Sequence, residues 1–351
     1  MFYVNSVSFL NKLLNRLEIK LKRTRLISRP VSVTIEPTLK CNSNCIMCNR
    51  NFHRSDTKQE NGMLSRNTLK KVKPFIRTAE RIMFGGFGEP FLHPEYTSLL
   101  EEIKNTGNPF VYVFTNGIVM TRDISRQLVD NRFDMVCISM GGANRESYAY
   151  VRGVDAFDRV KENIRFLHDY KKERGVSTPL ISFNIVSMNS LLDELEQMID
   201  LAADIGVAHI AMPNLVAQGD TIRHESNWLD LSHAEQVFRS AEKRAGEKNI
   251  QFIRPDFSPK TGDCKSLFNN MIVNWDGTVM SCSQERFILG DLKAQSIQSI
   301  WNSPGMVDLR KKYYRDGLKA LCPACTCWDN RPEAFLNPWK NARQYARRIE
   351  S

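Results

Sequence analysis

The sequence predicts an α/β protein, an open and partial (β/α)6 barrel of TIM-like plan followed by a small C-terminal domain. Three observations predict it. Six short apolar runs alternate with helical patterns through residues 30–228, and such alternation builds a parallel sheet with right-handed crossovers. Each run ends in a polar or glycine-bearing turn, at the strand ends where parallel sheets hold their ligands. Cysteines cluster just after the first of these runs, at 41, 45 and 48, and again beyond the last, at 264, 282, 322, 325 and 327. Six units are too few to close a barrel of eight, so the barrel is expected to stay open.

Composition sets the outer limits. The 351 residues are 42% apolar and 25% charged, enough for one large core and a smaller unit. No apolar run nears the roughly 20 residues of a membrane span. Residues 1–26 lack a small-residue cleavage site after an apolar core, so a secretory signal is not expected. Nine cysteines at metal-like spacings point to a reducing, cytoplasmic setting rather than a disulfide framework. The formal net charge of +10 admits an anionic partner. Much of the excess lies in 12–29 and 340–348, so a solvated face is the expected reading and DNA binding is not expected.

In chain order, residues 7–24 have the pattern of an amphipathic helix. Val7, Leu10, Leu13, Leu14, Leu17, Ile19 and Leu21 alternate with Lys12, Arg16, Lys20, Lys22 and Arg23, at helical spacing. It is expected to pack on the body of the protein; peripheral contact with anionic lipid is the alternative. Arg29-Pro30 ends it, and the alternating run at 31–36 is the first strand. After the cysteine loop, 64–76 is helical and 81–84 is a short strand running into Gly85-Gly86-Phe87-Gly88-Glu89-Pro90. Strands follow at 110–114, 135–139, 180–186 and 209–212. They end at Thr115-Asn116-Gly117, Gly141-Gly142, Met188-Asn189 and Pro213-Asn214. Helical patterns at 98–105, 124–131, 157–172 and 191–205 separate them. A charged helix at 229–248 leads away, and 249–254 adds a strand. Asp276-Gly277 between apolar runs signals a hairpin that returns Cys282 toward Cys264. Helices are expected at 304–314 and 331–348.

Cys41, Cys45 and Cys48 stand as C-x3-C-x2-C on a loop rich in Asn and Ser. Three thiolates can hold three corners of a cubane iron–sulfur cluster and leave the fourth iron open to a non-protein ligand. Zinc competes, but a structural zinc takes four closed ligands. No fourth cysteine lies nearby, and His53 is the available substitute. Three buried, unliganded cysteines suit so polar a loop poorly. Near the other end, Cys264, Cys282, Cys322 and Cys325 supply four thiolates, which suit either zinc or [4Fe–4S]. Cys137, inside an apolar strand, reads as core.

From Glu36-Pro37-Thr38-Leu39-Lys40-Cys41 through Cys48, the chain resembles the radical S-adenosylmethionine (SAM) superfamily, and the likeness extends over roughly residues 30–328. The resemblance implies a [4Fe–4S] cluster on Cys41, Cys45 and Cys48 whose open iron is chelated by SAM. It implies cleavage of SAM to a 5′-deoxyadenosyl radical that takes a substrate hydrogen. Phe87, Gly88, Glu89 and Pro90 resemble the family's GGEP motif, with Phe87 in place of its first glycine, which implies that this turn meets the SAM amino group. Ser139 and Arg152 resemble the family's fourth-strand segment, with Gly141 where an Asp often stands; the implied partners are a ribose hydroxyl and the SAM carboxylate. Asn116 and Asn184 are further cofactor-binding candidates at the barrel mouth. Cys264, Gly277, Cys282 and the Gly290-Asp291-Leu292…Ile300-Trp301-Asn302-Ser303 stretch resemble the SPASM and twitch domains of the same superfamily. That likeness favours iron over zinc. It implies a twitch-like unit with one auxiliary [4Fe–4S] cluster on Cys264, Cys282, Cys322 and Cys325. Cys327 is left over, as a substitute for Cys325 or a hydrogen donor.

The expected layout is a basic amphipathic helix at 1–29, the radical SAM barrel at 30–228, a linker helix and strand at 229–260, the SPASM/twitch-like domain at 261–330 and a C-terminal helix at 331–351. The expected activity is that of a radical SAM oxidoreductase. It would take hydrogen from a polar small molecule (a sugar, aminocyclitol or related alcohol) and pass the electron to the auxiliary cluster. A flavodoxin or ferredoxin is the expected electron donor. Epimerisation with Cys327 as hydrogen donor and peptide maturation are alternatives; the N-terminal extension is short for a leader-binding domain, which speaks against the latter. The non-enzyme alternative is a metal-containing RNA-binding module, for which no aromatic stacking strip is evident.

Overall fold

The ordering of elements follows the alternation of apolar runs. The structure, a computed structural model, describes residues 6–48, 50, 62–217, 220–257, 264–282 and 287–322. Its elements are α1 (Ser6–Lys20), β1 (Ser32–Ile35), α2 (Arg66–Ile76), β2 (Arg81–Phe84), α3 (Tyr96–Asn105), β3 (Phe110–Thr115), α4 (Arg122–Asp130), β4 (Met135–Ser139), α5 (Arg145–Arg152), α6 (Phe157–Glu173), β5 (Leu180–Asn184), α7 (Leu195–Asp204), β6 (His209–Ala211), α8 (Leu231–Glu247), β7 (Gln251–Ile253), α9 (Ser266–Asn269), β8 (Asn270–Val273), β9 (Thr278–Met280), β10 (Ile288–Asp291), α10 (Ile297–Trp301) and α11 (Pro304–Leu321). Each of β1 to β6 is followed by a helix, the expected α/β grammar. Among the described residues, no helix is long and apolar enough to cross a membrane. Cys325, Cys327, His53 and the helix expected at 331–348 lie outside the described residues.

The described residues divide into two compact units. The first comprises 6–40, 62–113, 264–282 and 287–322. Its strands run in the order β10-β9-β8-β1-β2-β3. β1 pairs in parallel with both β2 and β8, so Ser32 lies opposite Arg81 on one side and Asn270 on the other. The segment between Cys264 and Cys282 therefore extends this sheet through β1. By register Val33, Ile35, Ile82, Phe84, Met271 and Val273 share one face of this sheet, and all are fully buried; successive side chains alternate between faces, and Arg81 on the other face is exposed. Ser65 caps α2 by accepting a bond from the Thr68 amide, which satisfies one of the donors that a helix start leaves open. Arg310 of α11 is fully buried. Its guanidinium donates to the carbonyls of Leu267 (2.9 Å) and Thr24 (3.2 Å) and lies 4.4 Å from the Trp301 ring centroid.

α1 packs within this unit, as expected, but by the opposite face. Asn11 donates to the carbonyls of Arg29 and Thr78, and Asn15 to the Ser28 hydroxyl and the Phe268 carbonyl. Glu18 accepts from the amides of Ile27 and Ser28. Leu10, Leu13, Leu17 and Leu21 face out. Periodicity located the apolar stripe; it does not say which stripe meets the core when the polar one carries a matched set of hydrogen bonds.

The second unit comprises 41–48, 50, 114–217 and 220–257. Its strands β4-β5-β6-β7 are all parallel neighbours. Val160, Ile164 and Leu167 of α6, Leu195, Met198 and Ile199 of α7 and Phe238 of α8 form its core with Val136, Ile138, Phe183 and Ile210. α5 was not anticipated as a separate helix. Its signals were present: the Asn144 side chain accepts from the amides of Glu146 and Ser147, and Gly153 closes the helix at φ 65°, the left-handed stop that glycine supplies.

Candidate active site

The three-cysteine loop is seated on the end of α5. The Asn44 amide donates to the Arg152 carbonyl and the Ile46 amide to the Val151 carbonyl, each at 3.1 Å. Gly153 makes this seat possible, because a Cβ there would stand 2.2 Å from the Asn44 carbonyl oxygen. Asn116, in the turn after β3, clamps the loop from another side. Its amide donates to Asn42 Oδ1 (2.6 Å) and Ser43 Oγ (3.1 Å) and lies 4.0 Å from Cys41 Sγ, while its oxygen accepts from the Ile118 amide. Arg50 donates to the Ser43 carbonyl. Asn116 thus positions the loop, a task the sequence reading had not given it.

The thiols sense one another. Burial pushes the Cys45 thiol up, the Arg152 charge opposes this, and Cys48 and Cys41 push it further up. Such a group ionises readily only when a cation joins it. Among the described residues, no three His, Cys, Asp or Glu side chains are drawn together at metal-ligand geometry. The loop is preformed by its backbone bonds, with its thiols within electrostatic reach of one another.

Arg152 is mostly buried, and its Nε has no hydrogen-bond partner among the described residues. A buried guanidinium nitrogen left in that state marks a place for an anionic oxygen. Gly141 makes room for it, since a Cβ at 141 would meet Arg152 Cγ at 2.5 Å. The glycine in place of the family's usual Asp therefore has a local steric reason. Ser139 and Asn184 are register partners across β4 and β5, so those two candidates stand side by side at the strand ends. Cys137 is buried in β4, and burial pushes its thiol up to about 12, in keeping with a core role.

The glycine-rich turn belongs to the first unit. There Glu36, at the end of β1, accepts from the Phe87 amide at 2.9 Å, and the Glu89 amide donates to the Lys40 carbonyl at 2.8 Å. A Cβ at Gly88 would stand 2.1 Å from the Thr38 carbonyl oxygen. Residues 85–90 are thus folded against the strand that leads into the cysteine loop. Glu89 is buried and caps the short helix Pro90–Leu92 by accepting from the Phe91 amide. The sequence places Glu36 only at the start of the cysteine motif; the signal for its role is an acidic residue directly after an apolar strand.

The expected hairpin is present in β8 and β9, with Ile272 opposite Met280 and Val273 opposite Val279. Asp276 accepts from the Thr278 amide (2.9 Å) and hydroxyl (2.7 Å), and Gly277 adopts φ 91°. Asn270 donates to the Ser281 carbonyl, so the start of β8 holds the residue before Cys282. Cys264 precedes α9, and Cys322 follows α11.

A family model for the radical SAM superfamily matches residues 35–207, and a model for the SPASM iron–sulfur cluster-binding domain matches 264–327. The chain is 23% identical over 346 residues to the tungsten-containing aldehyde ferredoxin oxidoreductase cofactor-modifying protein of Pyrococcus furiosus, covering 87% of this chain and 94% of that one. It is 31% identical over 168 residues to an uncharacterized protein of Methanocaldococcus jannaschii and 27% identical over 190 residues to a probable GTP 3′,8-cyclase of Saccharolobus solfataricus. These matches cover 48% and 53% of this chain, and 54% and 58% of the relatives' own lengths. Among solved structures, Streptococcus suis SuiB bound to precursor peptide SuiA superposes with a TM-score of 0.64 at 14% identity, covering 85% of this chain and 70% of that one. anSMEcpe with bound AdoMet gives 0.64 at 18%, covering 91% and 94%. At such identities these structures speak for the fold alone, an α/β fold shared over most of the chain.

The chain belongs to the radical SAM superfamily and carries a SPASM iron–sulfur domain in its C-terminal part. Membership brings its cofactors: a SAM-binding [4Fe–4S] cluster, an auxiliary iron–sulfur cluster and SAM itself. The residues fit them, with three thiols on a clamped loop for the first cluster and the unpartnered Arg152 Nε for a carboxylate.

Proposed function

We propose that this chain is an oxidising radical SAM enzyme, in which a substrate hydrogen is removed and the remaining electron passes to the C-terminal cluster. The observation that carries the reading is the clamped three-thiol loop beside a buried guanidinium, in a chain with a second cysteine set. When bound, the cluster and SAM supply a 5′-deoxyadenosyl radical. Cys41, Cys45 and Cys48 would ligate that cluster, and Asn116 would hold their loop. Arg152 would pair with the SAM carboxylate, and Glu89, with Phe87, Gly88 and Pro90 shaping its turn, would take the amino group. Ser139 and Asn184, adjacent in register, would meet ribose hydroxyls. The buried placement of Glu89 and Arg152 limits competing water, which strengthens such charge pairs. Cys264, Cys282, Cys322 and Cys325 would hold the auxiliary [4Fe–4S] cluster. The substrate radical would give its electron to that cluster and its proton to a base, leaving an oxidised product.

For the substrate, a peptide is the better-supported class. SuiB is solved with a precursor peptide and anSMEcpe with the Cp18Cys peptide; the cofactor-modifying name of the Pyrococcus furiosus relative points instead to a cofactor as the second reading. The sugar or aminocyclitol expected from the sequence has no such support. Epimerisation would require a hydrogen donor such as Cys327.

The test is iron and sulfide per chain after anaerobic reconstitution, followed by SAM and dithionite and assay of 5′-deoxyadenosine. About eight irons, from two four-iron clusters, and deoxyadenosine formation that vanishes in Cys45→Ala are expected. About four irons with activity would remove the electron-acceptor role. Zinc alone, with no deoxyadenosine, would overturn the radical reading.

A further inference from the structure

The face that α1 turns outward is unlike that of an ordinary surface helix. Phe9, Leu10, Leu13, Leu17 and Leu21 are 44–63% exposed, and Ile27 just beyond the helix is 73% exposed. At 3.6 residues per turn these five side chains, with Leu21 one residue past α1, span an arc of about 120°. Behind them, Ser8, Asn15 and Glu18 are buried. Burying a polar face is costly unless its groups are bonded, and here Asn15 and Glu18 are, to Ser28, Phe268 and Ile27. The orientation is therefore built in, with specific bonds holding the apolar stripe away from the core.

The charges around the stripe are of one sign. Arg16, Lys20, Lys22, Arg23 and Arg25 are all exposed, and Glu18 is the one acidic residue in 6–29. Glu18 is already committed to two amides on the buried side. Lys12, nearer the core side, pairs with Glu80 at 2.6 Å. A convex stripe of Phe and Leu bordered by five cations has the pattern of a helix lying in a lipid interface. Its aliphatic side chains enter the acyl boundary while Lys and Arg reach the headgroups. An acidic protein partner would supply the charge but would also need a groove shaped to the stripe, whereas a bilayer needs none.

We propose that α1, with Leu21 and Ile27 just beyond it, forms a peripheral membrane-binding face for anionic lipid. It uses surface that no step of the proposed chemistry requires, so it stands or falls separately from that reading. The test is co-sedimentation of the full chain with phosphatidylcholine vesicles, with and without about 30% phosphatidylserine. Binding that requires the anionic lipid and weakens with salt is expected. Leu13→Glu with Leu17→Glu should lower partitioning at least about tenfold, since each places a charge where a leucyl chain would be buried. Arg16→Glu should lower it about fivefold or more, from the contribution of about 1 kcal/mol that a basic residue makes near such a surface. All three positions are exposed, so circular dichroism and melting temperature should match the parent chain. Equal binding to neutral vesicles would overturn the anionic specificity. A concentration-dependent dimer that Leu13→Glu dissolves, with no vesicle binding, would assign the face to a second copy. Neither vesicle binding nor dimer would overturn the proposal.

Discussion

The cysteine loop at 41–48 and the C-terminal cysteine set are built by different means. The first keeps three thiols on one loop and ties that loop to the backbone of α5 and the Asn116 amide. The second takes Cys264 from the approach to α9, Cys282 from the end of a hairpin and Cys322 from the end of α11. α11 also carries a break at Gly317, φ 77°. A loop clamped at its backbone can keep its thiols near one another before any ligand draws them together. A set drawn from three elements depends on strand register and on a helix end. Substitutions beside the first should therefore act locally, and those beside the second should act through the register of β8 and β9.

The largest difference is expected between Cys45→Ala and Cys282→Ala. The former should abolish 5′-deoxyadenosine formation. The latter should leave it measurable while iron falls to about half of the parent value. If Cys282→Ala is as inactive as Cys45→Ala, the two regions are not separable and the electron-acceptor role loses its support.

Gly153→Ala is next. Its left-handed φ alone costs about 1–2 kcal/mol for a side-chain-bearing residue. The added Cβ also meets the Asn44 carbonyl, so a total loss of about 2–4 kcal/mol is expected, with poorer cluster retention. Gly175 has nearly the same φ, 64°, but nothing within 4 Å of a built Cβ, so Gly175→Ala should show the conformational part alone. Paired melting curves separate the two. Equal losses would mean that the seat of the loop on α5 yields easily.

A smaller contrast lies between Asn116→Ala and Asp276→Ala. Each removes hydrogen bonds worth about 1 kcal/mol apiece. The first should lower iron at the SAM site, and the second should lower auxiliary iron by loosening the hairpin, as Mössbauer or EPR signals of the two clusters would resolve. A loss shared by both clusters in either variant would contradict the local character of the clamp.

Much of the arrangement was legible in the residues because it depends on local patterns. Strands β2 and β4 fall where the apolar runs placed them, and Asp276-Gly277 marked the hairpin. The cysteine spacing marked the loop. What was not legible depended on contacts distant in sequence. Asn116 read as a group facing the barrel mouth, yet its partners are Asn42 and Ser43, brought to it by the fold. Gly141 read as a departure from the family pattern; its reason, the Arg152 side chain, lies a helix away. For α1, periodicity revealed the stripe but not its direction, because Asn15 and Glu18 find their partners beyond the helix.

The smallest expected effect is one of pH, confined to the unit that carries the clamped loop. His209 on β6 shares a 2.6 Å hydrogen bond with Ser182 on β5, and burial holds its imidazole below the ordinary histidine range. The neutral form is thus favoured in the folded chain. Above the unfolded pKa of about 6.5 both states are neutral and the full stability is present. As pH falls below that value the unfolded chain takes up the proton first, so stability declines toward the folded pKa. Hydrogen exchange, corrected for intrinsic rates, should show β5 and β6 opening more readily at about pH 5.5 than at about pH 7.5, with β8 and β9 little changed. His209→Gln should flatten that dependence while keeping a hydrogen-bonding group opposite Ser182. A decline shared equally by β8 and β9, or one that persists in His209→Gln, would place the acid sensitivity elsewhere and leave the two cysteine regions equally exposed to it.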